Sequence, residues 1–320
     1  MGISVPGLTA KIKQFAIQEA GFDLVGVAGV ELSPNHNEAL KAWIFKNYAG
    51  SMEYMKRDPD KRADPRSVLP SARSVVSLAV NYFHPEDPKP ERVASGKVAR
   101  YAYGRDYHKV IEKKLKKLSA YIREISGDHT DIKSYVDTGP ILEKAFAQKA
   151  GLGFVGKNTN VITRDFGSWV FLASLITSLE LTADEPHTGS CGSCRICIDA
   201  CPTGSLLGNY EMDATRCISY LTIEAKEEPA PELQKKMGEW VFGCDVCQTV
   251  CPYNFRAKIT RHEELYPNRI GGSWLDLEKI GTVSSQEEFI ESFKGSPIKR
   301  PKREGLARNA KIVAKNAVVV

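Results

Sequence analysis

The sequence is informative first in what it lacks. No cysteine occurs among the first 190 of its 320 residues. No stretch of ~18 residues is free of charge and apolar throughout, so no segment is suited to span a bilayer. The N-terminal residues contain neither the apolar core nor the twin arginine of an export signal. These absences predict a cytoplasmic protein that does not enter a membrane.

The composition is that of a globular protein, with 42% hydrophobic and 26% charged residues. Positive charge is concentrated near the C-terminus, where residues 294–320 hold eight basic side chains and one acidic one. The basic residues are Lys294, Lys299, Arg300, Lys302, Arg303, Arg308, Lys311 and Lys315. A basic segment of this kind indicates either a polyanionic partner or a solvated helix face.

Hydrophobic periodicity predicts helices over 8–20, 106–126 and 141–151, and strands over 22–30, 74–82, 131–138 and 168–177. Residues 84–98 form a long proline-rich loop between them. We therefore expect a layered α/β domain over 1–184, a thiol-rich domain over 185–260 and a basic segment over 261–320. Residues 303–320 predict a last helix with an apolar side that nothing after it covers, which suggests either a truncated chain or a lost repeat.

All eight cysteines lie between Cys191 and Cys251. The first run, Cys191-x2-Cys194-x2-Cys197-x3-Cys201-Pro202, is typical of bacterial ferredoxins. In that motif three thiolates bind one [4Fe–4S] cluster, and the fourth binds a second cluster. Zinc is the alternative, but zinc sites seldom use three successive short gaps followed by Cys-Pro.

A second run, Cys244-x2-Cys247-x3-Cys251-Pro252, lacks a leading thiol because that position is Val241. Exchange of the fourth ligands between runs predicts one cluster on Cys191, Cys194, Cys197 and Cys251. The other cluster takes Cys201, Cys244 and Cys247, and Cys217 is the one cysteine left to complete it. We therefore predict two [4Fe–4S] clusters that carry single electrons toward the cysteine-free domain.

Other patterns are weaker. Gly151-x-Gly153-x-x-Gly156 follows a predicted helix and not a strand, so a dinucleotide site is disfavoured and a helix cap is favoured. Asp137, where a strand meets a helix, reads by itself as a turn or cap residue. The aromatic and basic run over 99–109 suits either nucleic acid or a domain surface.

Nine segments together resemble the epoxyqueuosine reductase family. They are DPDKRADP (58–65), RYAYGRDYH (100–108), VDTGP (136–140), GFVGKNT (153–159), FGSWVFLASLIT (166–177), CGSCRICIDACPTG (191–204), RCISYLT (216–222), GCDVCQTVCPYN (243–254) and SPIKRPKREGLARNA (296–310). They keep the family's order and span nearly the whole chain.

The resemblance implies a nitroreductase-like cobalamin domain, then a ferredoxin-like domain and a short helical C-terminal segment. It implies an oxidoreductase that reduces the epoxide of epoxyqueuosine, at the wobble position of tRNA, to the alkene of queuosine. It also implies that Asp137 donates a proton, for which we expect a raised pKa. The cobalamin contacts that the resemblance implies are Arg62, Asp137, Lys157, Val161, Leu172, Ser219 and Asp245.

The resemblance further implies a monomer, an external low-potential electron donor and tRNA phosphates as partners of the basic segment. Many family members continue into HEAT-like repeats after this segment. Two alternatives remain at this point. A reductive dehalogenase-like enzyme would act on a small molecule and ignore tRNA, and a plain two-cluster electron carrier would bind no corrin.

Overall fold

A computed structural model of the protein describes residues 4–91, 93–267 and 271–317. The strands are β1 (Leu24–Gly29), β2 (Ser74–Asn81), β3 (Ser95–Val98), β4 (Ile132–Tyr135), β5 (Phe154–Val155), β6 (Val161–Ile162), β7 (Val170–Thr177), β8 (Leu206–Gly208), β9 (Glu211–Met212), β10 (Trp240–Phe242) and β11 (Trp274–Asp276). The longer helices are α1 (Val5–Gln18), α2 (Pro34–Phe45), α5 (Tyr107–Ser126) and α13 (Lys302–Ala317).

The shorter α-helices are α3 (Glu53–Lys56), α4 (Pro59–Ala63), α6 (Glu143–Lys149), α7 (Ile196–Asp199), α8 (Ile218–Ile223), α9 (Pro231–Lys236), α10 (Val246–Thr249), α11 (Leu277–Thr282) and α12 (Gln286–Ser292). Single 3-10 turns lie at Pro65–Ser67, Arg100–Ala102, Ala214–Arg216, Pro252–Asn254, Glu263–Leu265 and Pro297–Lys299. No helix in the described part of the chain has the length and apolar character that crossing a membrane requires.

The main sheet is antiparallel, with strand order β1-β2-β7-β4. All eight residues of β2 are buried because helices cover both faces of the sheet. Val76 and Leu78 join the core formed with α1 and α5, whereas Val75 and Ala79 join the core formed with α6. The three-layer α/β arrangement and the helices and strands predicted for it are thereby confirmed.

Helix α5 follows directly from its sequence. Its buried side chains recur at helical spacing, and the Asp106 carboxylate caps its first turn by accepting from the backbone N–H of His108 at 3.1 Å. The helix ends at Gly127, whose φ of 104° suits a residue without a side chain. The cap and the burial of one face together fix the direction in which Tyr107 and His108 leave the helix.

A second, three-stranded sheet connects distant parts of the chain. Strand β3 pairs in parallel with β10 and antiparallel with β11. Each of the three predicted domain ranges contributes one of these strands, and β3 occupies the end of the segment that the sequence predicted to be a loop. The run over 99–109 begins inside this junction, where Ala99, Ala102 and Tyr103 are buried.

The expectation of an uncovered apolar side on the last helix was wrong. Leu306, Ala310 and Val313 of α13 are buried in the core that contains β10 and α11, and Ile312 packs with α8. The covering elements all precede α13 in the chain, so the helical pattern alone did not reveal them. Val318, Val319 and Val320 lie outside the described residues.

The glycine run takes the role that its position after a helix suggested. Gly151 follows α6 with a φ of 78°, and a Cβ there would lie 2.8 Å from the carbonyl oxygen of Glu185. A Cβ on Gly153 would lie 2.3 Å from the carbonyl oxygen of Ile162. These glycines therefore end a helix and let two backbone segments approach each other.

Candidate iron–sulfur and active site

Four thiols surround one cavity on the thiol-rich part of the chain. Cys191, Cys194, Cys197 and Cys251 line it together with Asn158, Ile162, Pro252 and Tyr253. Cys197 and Cys251 are buried, and Cys191 and Cys194 are partly exposed. The four cysteines, here called the first thiol group, are those that exchange between the two runs would bring together.

The other four cysteines form the second thiol group, Cys201, Cys217, Cys244 and Cys247. Burial raises the pKa of the Cys244 thiol, and the nearby thiols of Cys217 and Cys201 raise it further. Burial likewise raises the pKa of Cys247, with contributions from Cys244 and Cys217. The thiols thus lie close enough together to interact electrostatically.

Val241 cannot contribute a ligand from its place in the fold. It lies in β10 with no exposed surface, and its side chain packs into the core with Leu277 of α11. Cys217 instead approaches from the N-terminus of α8, after the 3-10 turn Ala214–Arg216. Cys217, which the sequence assigned to the second cluster by elimination, therefore lies with the second thiol group.

Asp137 lies on the loop that follows β4, in a left-handed conformation with φ 59°. The hydroxyl of Tyr107 donates to its Oδ2 at 2.6 Å, and Nε2 of His108 lies 3.6 Å from the same oxygen. The backbone N–H of Asp137 donates to Oε2 of Glu143 at 3.0 Å. The carboxylate is 63% exposed, so it remains open to a ligand while α5 and α6 hold its position.

The expected raised pKa of Asp137 was wrong for the chain itself. The protein around Asp137 removes part of its solvent and thereby raises the pKa of this carboxyl, but the contacts with His108 and Tyr107 outweigh that effect and hold the pKa below its usual range. Burial lowers the pKa of His108, but contacts with Asp106 and Asp137 raise it to about 9. Near neutral pH, Asp137 is therefore a carboxylate and the proton resides on His108.

Lys144 is a residue that the sequence patterns did not indicate. It interacts electrostatically both with this carboxylate and with the second thiol group. Its Nζ donates to the carbonyl oxygen of Thr159 at 2.8 Å. Burial lowers the pKa of Lys144, whereas the charges of Asp137, Cys247 and Cys217 oppose that shift. Lys144 therefore lies within electrostatic range of both Asp137 and the second thiol group.

The predicted cofactor contacts fall into four places. Arg62 donates to the carbonyl oxygens of Gly139 at 3.2 Å and Tyr54 at 2.6 Å, so it borders the Asp137 loop. Val161 and Leu172 pack together in the core beside α6. Lys157 lies at the first thiol group, where its Nζ donates to the carbonyl oxygens of Gly192 and Cys194, both at 2.8 Å.

The remaining two predicted contacts lie at the second thiol group. Ser219 of α8 follows Cys217 by two residues, and its hydrogen bonds favour the Cys217 thiolate. Asp245 is buried and accepts from the backbone N–H of Arg100 at 2.8 Å and from its guanidinium at 3.2 Å. Burial raises the pKa of Asp245 to about 6, against the effect of Arg100.

Buried polar atoms around Asp137 fit a ligand with hydrogen-bonding groups. Nε of Arg62 and Oε1 of Glu143 are shielded from solvent without a hydrogen-bond partner in the described part of the chain. Such atoms are costly unless a partner satisfies them. The amide side chains around a corrin ring offer both donors and acceptors, so the residues present are compatible with cobalamin.

Residues 62–138 match the family described as epoxyqueuosine reductase QueG, DUF1730, and residues 190–254 match the 4Fe-4S double cluster binding domain. The curated epoxyqueuosine reductase of Leadbetterella byssophila is 44% identical over 95% of this chain and 97% of its own length.

Two solved structures have the same fold. A crystal structure of epoxyqueuosine reductase with an epoxyqueuosine-modified tRNA stem loop has a TM-score of 0.89 and 32% identity, covering 97% of this chain and 82% of that one. The enzyme from Bacillus subtilis, with an aspartate-bearing catalytic loop swung out of the active site, has a TM-score of 0.87 and 31% identity. That match covers 97% of this chain and 83% of that one.

The antiparallel α/β fold and the double-cluster domain define an iron–sulfur oxidoreductase. The 44% sequence identity to a curated relative, over nearly the full length of both chains, identifies the family within this class. The chain belongs to the epoxyqueuosine reductase family.

Proposed function

We propose that the protein reduces epoxyqueuosine to queuosine at the wobble position of tRNA, with cobalamin and two [4Fe–4S] clusters as cofactors. The observation that carries the proposal is the open Asp137 carboxylate, which interacts electrostatically with Lys144, as the second of two cysteine groups also does. A reductive reaction needs a source of electrons and a source of protons at one place. This site brings the two within reach of one substrate.

The first thiol group holds one cluster and the second thiol group holds the other. Their ligands are Cys191, Cys194, Cys197 and Cys251 for the first, and Cys201, Cys217, Cys244 and Cys247 for the second. The cavity at the first group and the electrostatic proximity within the second support these sets. In this proposal electrons enter at the first cluster, whose ligands Cys191 and Cys194 are partly exposed, and leave from the second, because Lys144 lies within electrostatic range of both that group and Asp137.

Cobalamin, when bound, would supply electrons from a strongly reducing cobalt centre to the epoxide. Arg62, the Asp137 loop, Ser219 and Asp245 would hold the corrin through polar contacts, and Val161 and Leu172 would add apolar ones. Lys157 is the least direct of the proposed contacts, since it bonds to the first cluster loop. The unpartnered Nε of Arg62 supports a hydrogen-bonding ligand at this place.

Asp137 delivers protons to the epoxide oxygen. Conversion of an epoxide to an alkene consumes two electrons and two protons and releases the oxygen as water. The oxygen is a poor leaving group until it is protonated, so a positioned acid is required. The open carboxylate and its contacts with Tyr107 and His108 suit this role, and a relative from Bacillus subtilis has an aspartate on its catalytic loop.

The substrate is bound as part of tRNA. A relative was crystallised with an epoxyqueuosine-modified stem loop, and this chain has a basic segment over 294–315. Arg300 of that segment lies over the ring of Tyr54, whose hydroxyl interacts electrostatically with Asp137. Phosphates bound by the exposed lysines of this segment would therefore lie near the Asp137 site.

The remaining partners follow from the same chemistry. An external low-potential donor would reduce the first cluster, whose ligands Cys191 and Cys194 are partly exposed. In a reducing compartment the eight thiols remain free to bind clusters, so we propose that the enzyme works in the cytoplasm. We also propose that it acts as a monomer.

Anaerobic reconstitution with iron, sulfide and cobalamin tests the function, with three substrates offered separately under dithionite. They are an epoxyqueuosine-containing tRNA stem loop, the free epoxyqueuosine nucleoside and a halogenated phenol. We expect the stem loop to be reduced much faster than the nucleoside, and the phenol to be unchanged. Dehalogenation without stem-loop turnover would favour a small-molecule reductase, and failure to bind any corrin would favour a plain electron carrier.

A further inference from the structure

The reaction that we propose delivers two protons to one oxygen, but a carboxyl group holds only one. Asp137 must therefore be recharged between the two transfers, or begin with a partner that already carries a proton. The inference below rests on the proposed role of Asp137. It concerns Asp106 and His108, at the start of α5 beside Asp137. Neither residue belongs to the cysteine runs or to the predicted cofactor contacts.

We propose that His108 supplies protons to Asp137 and that Asp106 holds His108 in the orientation for this transfer. Nδ1 of His108 donates to Oδ1 of Asp106 at 2.8 Å. The opposite nitrogen, Nε2, lies 3.6 Å from Oδ2 of Asp137 and has no hydrogen-bond partner in the described part of the chain. Asp106, His108 and Asp137 thus form a chain in which the imidazole lies between two carboxylates.

The backbone fixes this arrangement. Asp106 is the cap of α5 and accepts from the backbone N–H of His108, so carboxylate and imidazole are held at the same helix end. The ring of Tyr107 stacks on His108 with ring centroids 4.1 Å apart. His108 is therefore held by its backbone N–H, by Nδ1 and by the stacked face of its ring. A small movement of the Asp137 loop would bring Oδ2 within hydrogen-bond distance of Nε2.

The charge environment keeps a proton on His108. Burial alone would lower the pKa of His108, but the two carboxylates raise it to about 9. Tyr107 is a hydrogen-bond donor and not an acid here, because burial and Asp137 raise its pKa far above the ordinary value. The other charged or titratable groups that face this cluster are Tyr54, Tyr101, Lys109, Glu143, Lys144 and Arg300.

The proton balance closes without a further acid. Nε2–H of His108 transfers its proton to Oδ2 of Asp137, and the protonated carboxyl passes it to the epoxide oxygen as the first C–O bond breaks. The same transfer supplies the second proton once a movement of the Asp137 loop lets solvent reprotonate Nε2 of His108, whose side chain is 28% exposed, and the oxygen leaves as water when the second C–O bond breaks. The two electrons come through the clusters. His108 and Asp106 are thus positioning residues, since neither touches the substrate.

Asp106→Asn separates proton supply from structure. Asparagine is as good a helix cap as aspartate, so the variant retains the cap and loses only the negative charge beside His108. Asp276→Asn is the matched control, because Asp276 caps α11 by accepting from the backbone N–H groups of Glu278 and Lys279. Both variants are prepared as the reconstituted holoenzyme.

Two measurements are made on each enzyme as a function of pH. The first is the rate at which diethyl pyrocarbonate modifies His108, followed by peptide mass spectrometry, since only the unprotonated imidazole reacts. The exposed His129 serves as an internal reference. The second is dithionite-driven turnover of the tRNA stem loop. In the native enzyme both should change near pH 9, and in Asp106→Asn both should move about one unit lower.

Each result has a defined meaning. A shift of both curves in Asp106→Asn, with none in Asp276→Asn, supports the inference. A shift in modification with an unmoved turnover curve overturns it, because His108 would then pair with Asp137 without supplying its proton. If Asp106→Asn does not fold, His108→Gly with added imidazole decides, and a lack of rescue overturns the inference. Full turnover in Asp137→Asn would instead refute the proposed donor itself.

Discussion

Asp137 obtains its chemical character from residues about thirty positions earlier in the chain, at the start of α5. Replacing it with Asn retains the size of the side chain but removes the group that carries a proton. We expect Asp137→Asn to reduce single-turnover conversion of the stem loop by at least about 100-fold, the usual contribution of a general acid. Nucleoside mass spectrometry measures the conversion. Iron and cobalamin contents equal to those of the native enzyme provide the control, and native turnover at equal loading would contradict the role.

Cys217 is the cysteine whose role depends most on the fold. Cys217→Ser removes one ligand of the second cluster, so we expect iron after anaerobic reconstitution to fall from about eight toward about four per chain. The double variant Cys217→Ser with Val241→Cys tests the position where the second run lacks a thiol. Because Val241 is buried in the core beside β3, iron should not recover in that variant. Recovery would show that β10 can supply a ligand.

At the scale of elements, α13 stabilises the part of the chain that carries Cys217. Asn309 donates to the carbonyl oxygens of Thr222 in α8 at 2.7 Å and Val241 in β10 at 3.0 Å. Arg308 donates to the carbonyl oxygen of Leu221 at 2.8 Å. These hydrogen bonds, here called the clamp, hold α8 and β10 of the cluster domain against the last described helix.

Leu306 tests this clamp because it is fully buried in α13. Leu306→Ala should lower the free energy of unfolding by about 2–5 kcal/mol, the usual range for a leucine truncated in a packed core. Thermal unfolding of the reconstituted enzyme measures the change. Lys311→Ala on the exposed side of the same helix is the control and should unfold as the native chain does. Equal stability of both variants would contradict the clamp.

The elements also show why sequence reasoning succeeded in some places and failed in others. Strands β1, β2 and β7 and helix α5 carry long apolar patterns, and these predicted them correctly. Strands β3, β10 and β11 have only three or four residues and join parts of the chain as far apart as Ser95 and Asp276, so no local pattern revealed them. The pKa of Asp137 was mispredicted for the same reason, because its partners lie in α5 and not beside it in the sequence.

At the scale of the whole molecule, residues 258–262 strap the C-terminal part of the chain to the main sheet. Asp23, beside β1, lies 2.7 Å from Nε2 of His262 and 2.9 Å from Nε of Arg261. Thr260 donates to the backbone carbonyl oxygen of Asn81 at the end of β2. The chain that leaves the cluster-bearing region is thereby bonded to the first domain.

Asp23 is nearly buried, so removing its charge leaves Arg261 and His262 without their shared partner. Asp23→Asn should lower the free energy of unfolding at neutral pH by about 3 kcal/mol. The folded state holds the pKa of Asp23 below 3.8, so this stabilisation is present above that pH and is lost only on acidification through the folded pKa. Thermal unfolding at pH 7 measures the loss. Asp128→Asn, on the exposed turn after α5, is the control and should change nothing; an equally small effect of both would contradict the strap.

The whole account depends on electrons from both clusters meeting protons from Asp137 at an epoxide in tRNA. The most direct test is mass spectrometry of the wobble nucleoside after a single turnover of an epoxyqueuosine-containing stem loop. The reconstituted enzyme is compared with and without cobalamin. The account predicts loss of one oxygen, with queuosine formed only by the enzyme that holds the clusters and cobalamin together. Queuosine formed at the same rate without cobalamin, or an unchanged epoxide with all cofactors bound, would contradict it.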